Sequence, residues 1–300
     1  PTMTLPETAP GTVQRFTLPA RDGYPLAVTL FQAAGTPRGR IIVAGATGVP
    51  QRFYRRFAEH AQQGGFTVLT LDYRGIGLSR PASLRGFDMQ YTDWGKLDLA
   101  AAVDAMADGL LPLYWVGHSY GGHALGMLPN HQRVSAAYAL GVGAGWHGWM
   151  PWYESLRVRL MWATVLPWLT RWKGYSPWAM LGLGEDLPAG VFWQWRHWCR
   201  FPRYFFDDPA SAWVHDAFAS VRTPLVAATA LDDLWAMPRS RDAFFDGYRQ
   251  APQQRRNLDP ARYGKLGHMG YFRAHAQPLW QEMLDWFDTQ APRSTAAQPA

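Results

Sequence analysis

Short apolar runs alternate with amphipathic segments along most of this chain. The pattern predicts a hairpin, with strands at residues 13–18 and 26–31 joined across Arg21-Asp22-Gly23. Further strands are predicted at residues 40–44, 66–71, 113–116, 134–140, 225–230 and 263–266. Helices are predicted at residues 53–63, 94–106, 122–128, 239–248 and 278–287. Because buried apolar strands alternate with helices, we expect an α/β fold, with a mostly parallel sheet covered by helices on both faces.

The alternation stops between residues 141 and 216, where the composition changes. Eleven of the sixteen tryptophans lie between Trp146 and Trp213. The segment fits either an aromatic helical subdomain that only packs on the sheet or a cap over an active site. Both interpretations can be true, because a lid buries some rings and presents others to a substrate. We favour a cap, since an insertion here lies at the carboxyl ends of the strands, where α/β sheets bind ligands.

The expected organisation has four parts. Residues 1–140 form the first part of an α/β core, 141–216 the helical cap and 217–290 the second part of the core. Residues 291–300 are expected to be a disordered tail.

Composition fits a globular protein. Hydrophobic residues make up 48% of the chain and charged residues 17%. No apolar run has the length of a membrane span, because the segment 160–169 is short and contains Pro167. The one cysteine, Cys199, excludes an internal disulfide and fits a reducing compartment. Residues 1–10 lack the basic and apolar regions of a secretory signal, so we expect a soluble, cytoplasmic protein.

The net charge of +6, carried mostly by arginine, would suit a nucleic acid or another anionic partner. The arginines are nevertheless spread along the chain, and no zinc-finger or RNA-binding signature is present, which favours a dispersed solvated surface. We expect a small-molecule substrate, no nucleic acid and no integral membrane association. The oligomeric state stays open.

The chemistry is indicated by Gly117-His118-Ser119-Tyr120-Gly121, which follows an apolar strand and precedes a helix. A serine hydroxyl is a weak nucleophile, so it needs a base, an oxyanion site and freedom from neighbouring side chains. A sharp strand-to-helix turn supplies this exposure, and glycines on both sides are expected to permit the turn. The first N–H of the helix, that of Tyr120, then points at the developing negative charge.

The base must be chosen among nine histidines. Sharp-turn serine nucleophiles are followed along the chain by an acid and then by a histidine. His268 fits best, because it lies between glycines, after the last predicted strand and before the closing helix. His118 and His123 flank the serine and are expected to pack, while His275 is expected at the surface.

The acid is expected at the end of the strand 225–230, where Asp232 and Asp233 compete. One carboxylate would orient His268 and the other would cap a turn. Spacing from the strand end and the nearby Pro238 favour Asp233, with Asp232 as the alternative.

A second oxyanion donor is expected in the small, glycine-rich loop that follows strand 40–44. Thr47 is the first choice, and Ala46 is the alternative. No cofactor is expected, because no Walker A or dinucleotide motif is present. No metal is expected either, because histidines and cysteines do not cluster at ligand spacing.

Over most of its length the chain resembles the α/β-hydrolase superfamily. More narrowly, it is similar to a bacterial group of serine hydrolases related to serine aminopeptidase and lysophospholipase-like members. The stretches that carry the resemblance are Ala46-Thr47-Gly48-Val49-Pro50-Gln51, Asp72-Tyr73-Arg74-Gly75-Ile76-Gly77, Gly117-His118-Ser119-Tyr120-Gly121-Gly122, Asp232-Asp233 and Gly267-His268-Met269-Gly270-Tyr271-Phe272. The resemblance implies an eight-stranded α/β-hydrolase fold with a helical lid and a serine hydrolase activity.

The function expected from these residues is hydrolysis of a carboxylic ester with an apolar acyl or aromatic group, through Ser119, His268 and Asp233 and an acyl-enzyme. An amidase, peptidase or acyltransferase would use the same triad. A peptidase would also need an acidic site for an amino terminus, for which Glu154 and Glu185 are candidates. A non-catalytic binding protein is disfavoured, since all members of the triad are present.

Overall fold

An eight-stranded sheet forms the centre of the protein, whose computed structural model describes residues 5, 6 and 9–291. Its strands are β1 (Val13–Pro19), β2 (Pro25–Phe31), β3 (Gly39–Ala44), β4 (Phe66–Leu71), β5 (Leu113–His118), β6 (Ala136–Leu140), β9 (Leu225–Ala230) and β10 (Gln253–Leu258), while β7 (Tyr175–Ser176) and β8 (Leu187–Pro188) form a separate antiparallel pair. The order across the sheet is β1-β2-β4-β3-β5-β6-β9-β10. Among the described strands of this sheet, the β1–β2 and β2–β4 pairs are antiparallel and the other pairs are parallel, so the predicted mostly parallel sheet is confirmed.

The helices are α1 (Arg55–Gln63), α2 (Ala100–Met106), α3 (Tyr120–Ala124), α4 (Trp152–Ala163), α5 (Val165–Lys173), α6 (Ala189–Trp198), α7 (Trp213–Ala219), α8 (Pro238–Phe245), α9 (Pro260–Tyr263) and α10 (Gln277–Gln290). The single helix predicted at residues 94–106 is divided, because Trp94–Leu99 forms a π-helix that continues into α2.

Two apolar cores cover the two faces of the sheet. Along β3, Ile42 belongs to one buried cluster, and Ile41 and Val43 belong to the other. Successive side chains of a strand point to opposite faces, so the uninterrupted apolar run 41–43 is what a strand buried on both faces requires. Trp115 and Val116 of β5 divide between the clusters in the same way.

Strand register gathers the chemically important loops at one edge. Ala44 at the end of β3 pairs with Gly117 of β5, and Leu140 at the end of β6 pairs with Ala228 of β9. Because parallel strands end at the same edge of a sheet, the loops after β3, β5, β6 and β9 lie next to one another.

The prediction for the last strand is wrong. Residues 263–266 were expected to form it, but Tyr263 ends the short helix α9, and the strand is β10, Gln253–Leu258. Within the described part of the chain, β10 lies at the edge of the sheet and pairs with β9 alone. An edge strand is half exposed, so its sequence, QQRRNL, has no apolar run from which a strand could be recognised.

Helices α4, α5 and α6 form the centre of the tryptophan-rich segment. The rings of Trp162, Trp178 and Trp195 contact one another there. The ring centroids of Trp178 and Trp195 are 5.0 Å apart. Trp178 is buried, whereas Trp168 is exposed. Apart from Ala291, the predicted tail 291–300 lies outside the described residues. Within the described residues, no helix combines the length and the apolar character needed to cross a membrane.

Candidate active site

The turn between β5 and α3 places Ser119 in a strained backbone conformation. Its φ is 51°, a left-handed value that is costly for a residue with a side chain. The glycines on either side, Gly117 and Gly121, allow neighbouring backbone segments to approach closely. A Cβ on Gly117 would lie 2.7 Å from the Gly121 backbone, and one on Gly121 would lie 1.9 Å from the Ala44 carbonyl oxygen. The turn is therefore compressed against the end of β3, and Ser119 itself carries the strain.

Ser119, His268 and Asp233 are brought together although they are far apart in sequence. The Ser119 Oγ lies 3.2 Å from His268 Nε2, and His268 Nδ1 lies 3.0 Å from both carboxylate oxygens of Asp233. An ionised carboxylate only accepts, so His268 Nδ1–H donates to Asp233 and Nε2 is left to accept from the Ser119 hydroxyl. This is the tautomer that a general base for Ser119 requires.

The Asp233 carboxylate is fully buried and is held in its ionised form. Burial by itself would raise its pKa, but charge and hydrogen bonding from His268, together with hydrogen bonds from Tyr271 and Trp235, lower the pKa below its ordinary value. The Tyr271 hydroxyl donates to Oδ2 at 2.7 Å, and the Trp235 and Ala236 N–H groups donate to Oδ1 at 3.1 and 3.2 Å. These donors fix the orientation of the carboxylate as well as its charge.

Asp232, the alternative acid, faces a different partner. Its Oδ2 accepts from the Leu266 N–H at 3.0 Å, and its Oδ1 has no hydrogen-bond partner among the described residues. The carboxylate therefore ties the loop that precedes His268 to the end of β9, without contact to the imidazole.

The two oxyanion candidates in the loop after β3 differ in whether their N–H is free. The Ala46 N–H donates to the Tyr54 hydroxyl at 2.7 Å, so it is already used. The N–H groups of Thr47 and Tyr120 make no hydrogen bond within the described part of the chain. Thr47 and Ser119 line the same cavity, and the Thr47 hydroxyl is hydrogen-bonded to Tyr91. Thr47 and Tyr120 are thus the two candidates whose N–H groups are free to donate to a negative oxygen.

A chain of hydrogen bonds connects this loop to the loop that carries His268. His118 Nε2 lies 2.8 Å from the His268 carbonyl oxygen, to which it must donate, so its Nδ1 accepts from the Tyr54 hydroxyl at 2.9 Å. Tyr54 in turn accepts from Ala46 N–H. Every donor in the chain is therefore determined. The sequence suggested that His118 packs, and the structure adds that it links both sides of the site.

Burial keeps the two histidines beside the serine neutral. It lowers the pKa of His118 to about 3, and it lowers the pKa of His123 to about 4, although the hydrogen bond from His123 Nε2 to the Gly143 carbonyl oxygen opposes this. Neither histidine is hydrogen-bonded to Ser119, since His118 uses both nitrogens elsewhere and His123 Nε2 donates to the Gly143 carbonyl oxygen.

Acid should destabilise the fold through these two histidines. An unfolded histidine takes up a proton below about pH 6.5, whereas His118 and His123 stay neutral while folded, so the unfolded state binds more protons in this window. Because the folded pKa is the lower one, the free energy of unfolding falls as the pH falls. We expect a loss of about 2 kcal/mol per histidine between pH 7 and pH 5, measured by urea unfolding at both pH values.

The variant His123→Gln retains a donor for Gly143 and should remove about 2 kcal/mol of that loss. The same change at the exposed His275 is the matched control. An identical pH dependence in wild type and His123→Gln would contradict the assignment.

Two cavities open on Ser119 and His268. The outer cavity has a volume of about 620 Å³, and it is lined by Thr47, Trp178 and Leu183 among others. The inner one is narrow, about 40 Å³, and its walls include Met161 and Trp162. Trp195 and Trp235 line both cavities, as Ser119 and His268 do.

Trp235 is the site residue that the sequence gave no reason to select. Its ring lies 5.4 Å from that of His268, and its Nε1–H donates to Glu154 of α4 at 2.8 Å. Glu154 also accepts two hydrogen bonds from Arg157. Trp235 therefore connects the α4 helix to the loop that carries Asp233. Its only sequence signal is its place two residues after the favoured acid.

Two other histidines, in the tryptophan-rich segment 141–216, have partners of their own. His147 contacts Ser155, and His197 contacts Asp208, 3.1 Å from its carboxylate. Within the residues that the structure describes, no three His, Cys, Asp or Glu side chains form a group that could hold a metal ion.

Comparison with known proteins gives one family and many related folds. A family model described as the alpha/beta hydrolase family matches residues 41–296. Among solved structures, a soluble variant of monoglyceride lipase from Saccharomyces cerevisiae, in complex with a substrate analogue, is similar with a TM-score of 0.68 and 16% identity over 97% of this chain and 99% of that one. An esterase from Pyrococcus furiosus has a TM-score of 0.62 and 14% identity over 97% and 96% of the two chains. No curated protein sequence matches significantly.

Proposed function

Since the chain belongs to the α/β-hydrolase family, we propose that it is a serine hydrolase that cleaves carboxylic esters with an apolar acyl or aromatic group. One observation carries the proposal: Ser119 Oγ lies 3.2 Å from the nitrogen of His268 that is free to accept its proton. A nucleophile within hydrogen-bond reach of a base, which is itself oriented by a carboxylate, is the arrangement that activates a serine.

The proposed reaction has two halves. The Ser119 oxygen attacks the ester carbonyl carbon while His268 Nε2 takes the serine proton, and the tetrahedral oxyanion accepts from the Tyr120 and Thr47 N–H groups. His268 then gives the proton to the departing alcohol, which leaves an acyl-enzyme on Ser119. Water attacks that ester with His268 as base, the acid is released, and the serine recovers its proton. Asp233 stabilises the imidazolium at each stage.

The cavities support an ester with one large apolar group. The outer cavity, at about 620 Å³, has room for a long acyl chain or an aromatic ring. The inner pocket, at about 40 Å³, has room for only a few atoms. We therefore assign the large group to the outer cavity.

A peptidase is less well supported, because the carboxylates available for an amino terminus are already paired. Glu154 binds Arg157 and Trp235. Glu185 accepts from the Gly77 N–H at 2.7 Å and lies 3.3 Å from Arg52. A substrate ammonium group would have to displace these partners.

The proposal is tested with a series of p-nitrophenyl esters from acetate to octanoate. Each added methylene that enters the outer cavity contributes up to about 0.8 kcal/mol, so we expect kcat/KM to rise by at least about tenfold across the series. Initial rates at subsaturating ester concentration measure it. The matched amide series, the p-nitroanilides, should be cleaved more slowly.

Enzyme inactivated by a fluorophosphonate is the control for nonenzymatic hydrolysis. Equal kcat/KM for acetate and octanoate would remove the outer cavity as the acyl site. If the anilides are cleaved faster than the esters, the proposed activity is that of an amidase and not of an esterase.

A further inference from the structure

Helices α4 and α5 each carry a stripe of exposed apolar side chains. Of the fourteen large apolar side chains that the structure describes as exposed, nine belong to residues 152–181. The two docking stripes are Trp152, Leu156 and Leu160 on α4, and Val165, Trp168 and Trp172 on α5. Residues three or four apart share a helix face, so each set forms one continuous stripe.

The tryptophans in these stripes are largely exposed to solvent. Trp152 is 79% exposed, Trp168 64% and Trp172 63%. The rings of Trp168 and Trp172 stack on each other with centroids 5.9 Å apart. A soluble surface seldom leaves such a cluster uncovered, and a large exposed apolar area indicates a binding surface.

The charged side chains of residues 155–184 are all positive. Between residues 155 and 184 the chain has four cationic residues and no carboxylate. Arg159 and Arg171 are exposed, and neither forms an ion pair within the described residues, although the Arg171 guanidinium lies 4.8 Å from the centre of the Trp193 ring. Glu154, just before this region, is buried against Arg157 and Trp235.

We propose that the docking stripes bind the surface of a bilayer that contains anionic phospholipid. Indole rings favour the boundary between headgroups and acyl chains, since one edge is apolar and the N–H remains hydrated. Leu156 and Leu160 enter the same layer, and Arg159 and Arg171 contact lipid phosphates from the flanks. The apolar and the cationic character of the surface thus both favour a bilayer that contains anionic phospholipid.

A second copy of this chain fits the same surface poorly. In a two-fold dimer a patch meets its own copy, so Arg159 and Arg171 of one copy would face the arginines of the other. Like charges opposed across an interface are destabilising, whereas anionic lipid neutralises them.

Residues next to these exposed side chains in the chain line the outer cavity. Arg157 of α4 lines that cavity, and so do Gly182 and Leu183, which follow the exposed Met180 and Leu181. A docked protein would therefore hold this part of the cavity lining close to the lipid. That lipid-borne apolar esters are its substrates rests on the proposed function, whereas docking itself does not.

Sedimentation with vesicles of phosphatidylcholine, with and without phosphatidylglycerol, tests the docking. Wild type should bind only the anionic vesicles. Leu156→Ser/Leu160→Ser should lower the partition coefficient by at least about tenfold, and so should Arg159→Gln/Arg171→Gln. The matched controls are Leu110→Ser, at a leucine 86% exposed, and Arg249→Gln, at another exposed arginine; both should bind as wild type.

Three results would overturn the proposal: no binding to anionic vesicles, equal binding to both vesicle types, or binding that the stripe variants leave unchanged. A solution dimer that Leu156→Ser/Leu160→Ser dissociates would do the same, since it would assign the stripes to a second copy. Ser119→Ala should bind vesicles as wild type does. Loss of ester hydrolysis and loss of docking are therefore separate outcomes.

Discussion

Ser119→Ala is expected to lower kcat for p-nitrophenyl octanoate by about six orders of magnitude. The hydroxyl is the group that His268 Nε2 contacts, and an alanine leaves no atom that can form the acyl-enzyme. What remains is water attack assisted by the free N–H groups of Thr47 and Tyr120, which is worth about three to four orders of magnitude over the uncatalysed rate. Initial rates at saturating ester measure the loss.

His268→Ala should cost nearly as much, and the double variant should lose no more than either single one. Serine and imidazole act as one unit, so once either group is removed, removing the other causes little further loss of kcat. Additive losses would mean that His268 does not serve Ser119.

Fluorophosphonate labelling gives the independent readout. Wild type and the control Ser83→Ala, at an exposed serine, should carry one adduct on the peptide that contains Ser119. Ser119→Ala should carry none. An adduct that persists in Ser119→Ala would assign the nucleophile to another residue.

The sequence predicts those elements of the fold whose burial determines the residue types within the element itself. A strand buried on both faces needs an apolar run, and β3, β5 and β9 all show one. The edge strand β10 has one neighbour and polar side chains, so nothing local distinguishes it from a loop. The π-helical turn at Trp94–Leu99 likewise leaves no trace in an amphipathic pattern.

Within the site, order along the chain predicts the candidates, but their supporting contacts are long-range. Ser119 and His268 follow from a motif and from position after a strand. The hydrogen bond from Tyr271 to Asp233 and the bond between Tyr54 and His118 join residues 38 and 64 positions apart. Such pairs depend on the completed packing of the sheet, so no window of sequence contains them. The difference between the Thr47 and Ala46 N–H groups likewise depends on a tyrosine hydroxyl outside the loop.

Asp233→Asn is expected to lower kcat by about four orders of magnitude with little change in KM. The Trp235 and Ala236 N–H groups can only donate, so they hold the amide oxygen of the asparagine at the Oδ1 position. Its NH2 group then takes the Oδ2 position and donates to His268 Nδ1 and to the Tyr271 hydroxyl. His268 Nδ1 lies 3.0 Å from both positions, so the donor at the Oδ2 position stabilises the tautomer with its proton on Nε2, which cannot accept the proton of Ser119.

Asp232→Asn is the matched control, because it makes the same chemical change one residue away. An asparagine there still offers an oxygen to the Leu266 N–H and does not touch the imidazole, so kcat should change by less than about tenfold. Thermal unfolding of both variants separates loss of catalysis from loss of fold. If Asp232→Asn loses more activity than Asp233→Asn while both remain folded, the tautomer of His268 is set by the other carboxylate. The hydrogen bonds around Asp233 would then be structural, and the donor pattern that now selects its role would have to be explained by packing alone.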